Sequence, residues 1–172
     1  NYSVIEALNW YAYVSNNPVR YVDPTGMFNT SEIDEDYPKS AEFINNLQPS
    51  SDDYDAFEEY GQASKNDVDR AFTEGNPPNV IAESLGGDNG AFQPDSNSED
   101  IIINKDLLEA FEDGVSGSDL LLESTIKHET THYFDDQDGE DYPGEEGQAF
   151  EEQVYGEDID TLEQAEKYLE RE

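Results

Sequence analysis

IKHETTH, residues 126–132, holds both histidines of a 172-residue chain, four positions apart, with Glu129 directly after the first. On a helix, residues four apart lie one above the other on one face, so His128 and His132 can point at a single ion. Glu129 projects beside them, where a carboxylate can accept a proton from a water polarised by that ion. One helical turn thus supplies two ligands and a general base. The flanks suit burial: Thr125, Ile126, Thr130, Thr131 and Tyr133 are uncharged, and Phe134 is apolar. Leu121 and Thr125 extend the histidine face toward the N-terminus. A helix capped by Ser118 or Asp119 and opening with Leu120-Leu121-Leu122 would carry the motif inside the protein.

Outward from this helix, the pattern is helices, a few strands, then helices. YPKSAEFINNL predicts a short helix capped at Ser40, with Ala41, Phe43, Ile44 and Leu47 on its apolar side. DDYDAFEEYGQA predicts a second, and SKNDVDRAFTEG a third, with Ser64 and Asp67 in capping-box spacing. NVIAESL, after Pro77-Pro78, and EDIIINKD, after a Gly86–Gly90 turn, read as strands. Beyond the motif an acidic loop is expected over 135–146, then a helix over about 147–155. A last helix, capped by Asp160, would bury Leu162, Ala165 and Leu169. The expected class is α+β, with a small antiparallel sheet beside an active-site helix.

The motif and its flanks resemble the zincins, zinc peptidases built on HExxH. That resemblance implies a zincin-like fold whose sheet edge binds substrate as an added strand, and a zinc ion held by His128, His132 and one further acid. Asp138 lies six residues after His132, the place of the final ligand in HExxHxxGxxD zincins, although position 135 is Asp where that pattern has Gly. Glu151 lies nineteen residues after His132, near the spacing of zincins with a downstream helical Glu. The string His128-Glu129, His132-Tyr133, Gly139, Phe150-Glu151, Tyr155-Gly156 is similar to metallopeptidase toxin tips, in which the Glu of Phe-Glu recurs. By this resemblance Glu151 is the expected third ligand, with Glu145, Glu146 and Glu152 as alternatives. Tyr155, one turn after Glu151, is expected either to stabilise an oxyanion or to serve as a core aromatic. DDQDGED also invites a calcium reading, but Phe134 would then fall at the first ligand position, where it cannot ligate.

Composition narrows the partners. Asp and Glu number 43 against 8 Lys and Arg, a net charge of −35, and residues 28–172 carry −34 of it. Phosphate backbones require dense cations to release counterions, so nucleic acid is excluded as a partner, and anionic membrane surfaces are disfavoured. No stretch approaches the roughly 18 apolar residues of a membrane span. With 34% hydrophobic and 12% aromatic residues the chain can still build a core. There is no cysteine, so a metal must use His and carboxylates.

The first 27 residues differ from the rest: aromatic, nearly uncharged and broken by Asn-Pro and Asp-Pro-Thr-Gly turns. Tyr11-Ala-Tyr13, Asn16-Asn17-Pro18-Val19 and Tyr21-Val-Asp23-Pro24-Thr-Gly26-Met27 resemble the end of the Rhs repeat core, a β-rich shell followed by a variable toxin. The resemblance implies a shell or linker over 1–27 and a toxin domain over 28–172. It also implies a self-cleavage junction after Met27 in which Asp23 takes part. It implies further an effector secreted or delivered into a target cell, where it meets a protein substrate. Its parent shell and a cognate immunity protein, expected to have a basic face, would be its other partners. A binding effector with an acidic surface and a purely structural metal is the alternative.

Overall fold

A computed structural model describes residues 28–73, 75–94, 99–139 and 142–171. The Rhs-like segment, with Asp23 and Met27, lies outside them. Four strands and seven helices follow in the order β1 (Phe28–Asn29), α1 (Pro38–Asn45), α2 (Ser51–Tyr60), α3 (Lys65–Ala71), β2 (Asn76–Glu83), β3 (Gly90–Phe92), β4 (Asp100–Asn104), α4 (Lys105–Glu112), α5 (Ser118–Asp138), α6 (Glu146–Val154) and α7 (Leu162–Leu169). The class is α+β, as expected. No helix among the described residues is long and apolar enough to cross a membrane.

The sheet is mixed, not antiparallel, in the order β1-β2-β4-β3. β2 and β4 pair in parallel, from Asn79 opposite Asp100 to Glu83 opposite Asn104. The reason is β3. It turns the chain back, and β4 then slots between β2 and β3, antiparallel to β3 with Ala91 opposite Ile102. Ile101, Ile102 and Ile103 are buried, as suits a strand covered on both faces. β3 is left as an edge strand against α5.

α5 is the spine. Its 21 residues span about 31 Å. Leu120, Leu121, Leu122, Ile126, Tyr133 and Phe134 are buried on several sides, so the helix shows little amphipathicity. Its buried hydroxyls turn inward: Thr125, Thr130 and Thr131 donate to the carbonyls of Leu121, Ile126 and Lys127 at 2.7, 2.6 and 2.9 Å. Lys127, 3% exposed, donates to Asp53 at 2.9 Å and Glu123 at 2.6 Å, tying α5 to the first turn of α2. Phe57 of α2 stacks between Phe134 of α5 and Phe150 of α6, with ring centroids 5.3 and 4.6 Å away, and locks the three helices together.

Several ends differ from expectation. α1 starts at Pro38 after Tyr37; Ser40 is inside it and donates to Glu112, 2.9 Å away. α2 carries an unforeseen capping box between Ser50 and Asp53, while the Ser64–Asp67 box of α3 is present as expected. α5 begins after Gly117 with no side-chain cap, and continues to Asp138, so residues 135–138 are helical and cannot form a calcium-binding loop. Thr161, not Asp160, caps α7, whose Leu169 is 44% exposed.

Candidate metal centre

α5 presents His128, Glu129 and His132 toward a cleft between β3 and the start of α6. Two glycines let the walls close in. Gly90 of β3 rests on Glu129: a Cβ there would sit 2.8 Å from Glu129 Oε1 and 2.7 Å from Thr125 Cγ2. On the other side, a Cβ on Gly147 of α6 would sit 2.2 Å from His128 Cδ2. No side chain larger than hydrogen fits at either place without displacing the motif.

Glu145 caps α6, accepting the Gln148 N–H. Its Oε1 lies 2.8 Å from His132 Nε2 and 3.4 Å from His128 Nε2. Each imidazole also has a carboxylate at its other nitrogen. Glu146 Oε2 is 3.1 Å from His132 Nδ1, and Glu151 Oε2 is 3.6 Å from His128 Nδ1. This is the carboxylate–histidine arrangement that fixes a ring's tautomer and aims its Nε2. The candidate ligand atoms of His128, His132 and Glu145 lie within 4.8 Å of one another, as do those of His128, Glu151 and Asp158.

Glu151, the third ligand implied by sequence resemblance, therefore meets His128 on the Nδ1 side, while Glu145 meets both imidazoles. Glu151 is 2% exposed, with the Ile159 N–H 3.4 Å away. Glu152 is exposed. Asp138 ends α5, its side chain outside the described structure. Tyr155 packs against the core, edge-on to Tyr168 at 5.8 Å, and lines neither lobe of the cleft. Its hydroxyl is buried without a hydrogen-bond partner, and burial, with Glu123 and Asp53 nearby, raises its pKa. Asp158 and the two wall glycines carried no signal in the sequence. Asp158 lies in a loop, and close approach of a glycine is a property of the fold.

Burial and the surrounding carboxylates set the charge of the site. Burial pulls the His128 pKa down, but the Glu145 and Glu151 carboxylates beside its two nitrogens more than offset this and lift it to about 10. His132 shifts upward for the same reasons, chiefly through Glu145. Burial pushes Glu145 up, yet its bonds to both imidazoles and to the Gln148 N–H hold it well below the usual carboxylate range. Glu129, 6% exposed, goes up through burial, which outweighs the two histidines and the Phe92 N–H bonded to it. The hydrogen bond between Asp158 and Glu151, aided by burial, pushes Asp158 up to about 6. The carboxylates around the two imidazoles thus favour positive charge at this point of the cleft. Two imidazole nitrogens and a carboxylate oxygen, with no thiolate, form a donor set that fits a borderline divalent metal.

Comparison with protein families matches residues 33–156 to Metallopeptidase toxin 3, a span that includes the motif, Glu145 and Glu151. No curated protein and no solved structure was found to match. The chain belongs to the metallopeptidase toxin 3 family, and is a metal-dependent peptidase toxin domain.

Proposed function

We propose that this metallopeptidase toxin domain is a zincin-like zinc peptidase, the toxic tip of an Rhs-type protein, which hydrolyses a peptide bond in a protein of the target cell. The observation that carries the site assignment is Glu145 Oε1 beside the Nε2 atoms of both His128 and His132, next to a buried Glu129. His128, His132 and Glu145 would hold the ion, while Glu151 and Glu146 orient the two imidazoles through Nδ1. When bound, zinc supplies Lewis acidity, which polarises a carbonyl and makes a water easier to deprotonate.

The remaining steps belong to the chain's own residues. The open edge of β3 takes the substrate as an added strand and lays its scissile carbonyl along the motif. Glu129, whose charge is disfavoured by burial, accepts the attacking water's proton and hands it to the departing amine. The Phe92 N–H keeps its carboxylate under β3 while this happens. No nucleophilic side chain is required. In the producing cell, a cognate immunity protein with a basic face would be steered onto the acidic domain, with an on-rate that falls as salt rises.

The test is growth of bacteria expressing the protein, wild type beside Glu129→Ala, with folding and bound zinc measured in both. Killing by wild type alone, at equal zinc content, supports hydrolysis. Equal killing by both replaces it with the binding-effector reading.

A further inference from the structure

The cleft has two lobes, of about 450 and 470 Å³, which share Gly90, His128 and Glu129. One runs past Phe92 and Pro94 of the β3 side toward the end of α5; the other runs past Gly87–Asn89 toward Asp160 and Thr161 before α7. The motif therefore stands at the waist of a channel that follows an open strand edge, the geometry of a site for extended polypeptide. Each lobe has its own acids, and among the described residues neither is lined by Lys or Arg.

These acids fall into two groups. Asp135, Glu146 and Glu151 are committed inside the protein: Asp135 accepts from the Tyr142 N–H at 3.2 Å and from Gln62 at 3.3 Å, and the two glutamates hold the imidazoles. Asp136 in the first lobe, and Asp88 and Asp160 in the second, have no Lys or Arg partner among the described residues. Asp160 also shares a hydrogen bond with Asp158, and burial together with that neighbour raises its pKa; the carboxylates of Asp136 and Asp88 face whatever enters the channel.

We propose that Asp136 on one side of the scissile bond, and Asp88 and Asp160 on the other, select a cationic segment carrying Lys or Arg on both flanks of the cut. The proposal rests on the peptidase reading and adds the substrate class. Like-charged segments are repelled at both ends. Neutral segments gain nothing from these carboxylates, whereas each basic side chain gains one partly exposed ion pair.

The domain's overall charge would also attract cations, so the test must separate the channel from the field. The zinc-loaded 172-residue protein is incubated with peptides made from denatured bacterial protein by cleavage after glutamate, which leaves internal Lys and Arg intact. Cut sites are then read by mass spectrometry. Wild type should enrich Lys and Arg within about three residues on both sides of the cut, by about two- to fivefold per carboxylate, the worth of one exposed ion pair. Asp136→Asn should lose the preference on one side, and Asp88→Asn with Asp160→Asn on the other. Glu35→Gln, Glu42→Gln and Asp113→Asn together remove equal charge from exposed positions outside the channel, and should preserve it. Cutting without Lys/Arg preference, or a preference lost equally in this control, overturns the proposal.

A second readout needs no turnover. Zinc-loaded Glu129→Gln is immobilised, and the peptides it retains are compared with those retained by the same protein carrying the three channel substitutions. Enrichment of basic peptides that depends on the channel, without any cutting by wild type, would keep the selectivity and sink the peptidase reading. Equal retention by both would sink the selectivity whatever the catalytic result.

Discussion

Two faces of α5 bury charge in opposite ways. On one, Lys127 is enclosed between Asp53 and Glu123, and the neighbouring threonines satisfy themselves on the helix backbone. On the other, Glu129, Glu145, Glu146 and Glu151 gather around two imidazoles, whose pKa values are raised, chiefly by Glu145. The first face neutralises its cation with the protein's own acids and anchors the helix to α2. The second gathers more negative charge than two imidazoles can neutralise, and opens on a cleft. A buried ion pair closed on itself secures a fold; an anionic surplus around aimed nitrogens is a receptor for a cation. Substitutions on the two faces should therefore separate stability from activity.

The largest effect expected is on the open face. Glu129→Gln should lower peptidase turnover by about 10²–10⁴, the usual worth of a general base, without lowering the urea midpoint, because burial already disfavours that charge. A parallel loss of stability would assign Glu129 to the fold. On the closed face, Lys127→Met should cost about 3–5 kcal/mol in urea unfolding, since it strands buried Asp53. Zinc affinity in whatever folded protein remains should be little changed, and a loss confined to zinc would merge the two faces.

Smaller effects sharpen the open face. Glu151→Gln should weaken zinc binding by about 10–100-fold, the range for a carboxylate that orients a ligand histidine. Gly147→Ala should weaken it at least as much, because the new methyl group overlaps the His128 ring. Competition with a chelating dye measures both, and unchanged affinity in either would remove α6 from the site. The smallest effect is on pH. The His128 pKa is raised from 6.5 to about 10, so its contribution to metal-free stability is complete below about pH 6.5 and is lost as pH rises through about 10. Urea midpoints should fall across that window and be flatter with zinc, whose uptake displaces the protons. A metal-free midpoint that rises there would contradict the imidazolium–carboxylate cluster.

What the sequence could reveal followed the range of the interactions. Local signals worked: HExxH spacing placed three side chains on one helix, Ser64–Asp67 marked the start of α3, and the isoleucine run marked the buried strand β4. Long-range ones did not. β3 is three residues, Gly90-Ala91-Phe92, too short to alternate, yet it sets the parallel pairing of β2 with β4. The continuation of α5 to Asp138 was hidden by an acidic, turn-like composition that burial of Tyr133 and Phe134 overrides. Among 43 acids, no spacing rule separates Glu145, which faces two Nε2 atoms, from Glu151, which faces one Nδ1. That distinction depends on how α6 packs across α5. The same packing turns Tyr155 into the core.

The most direct measurement is a zinc-edge anomalous diffraction map of crystals grown with zinc. One peak is expected, coordinated by His128 Nε2, His132 Nε2 and Glu145 at about 2.0–2.2 Å, with the remaining position open toward Glu129. A peak closed by four protein ligands, or no peak at the two histidines, would contradict this assignment.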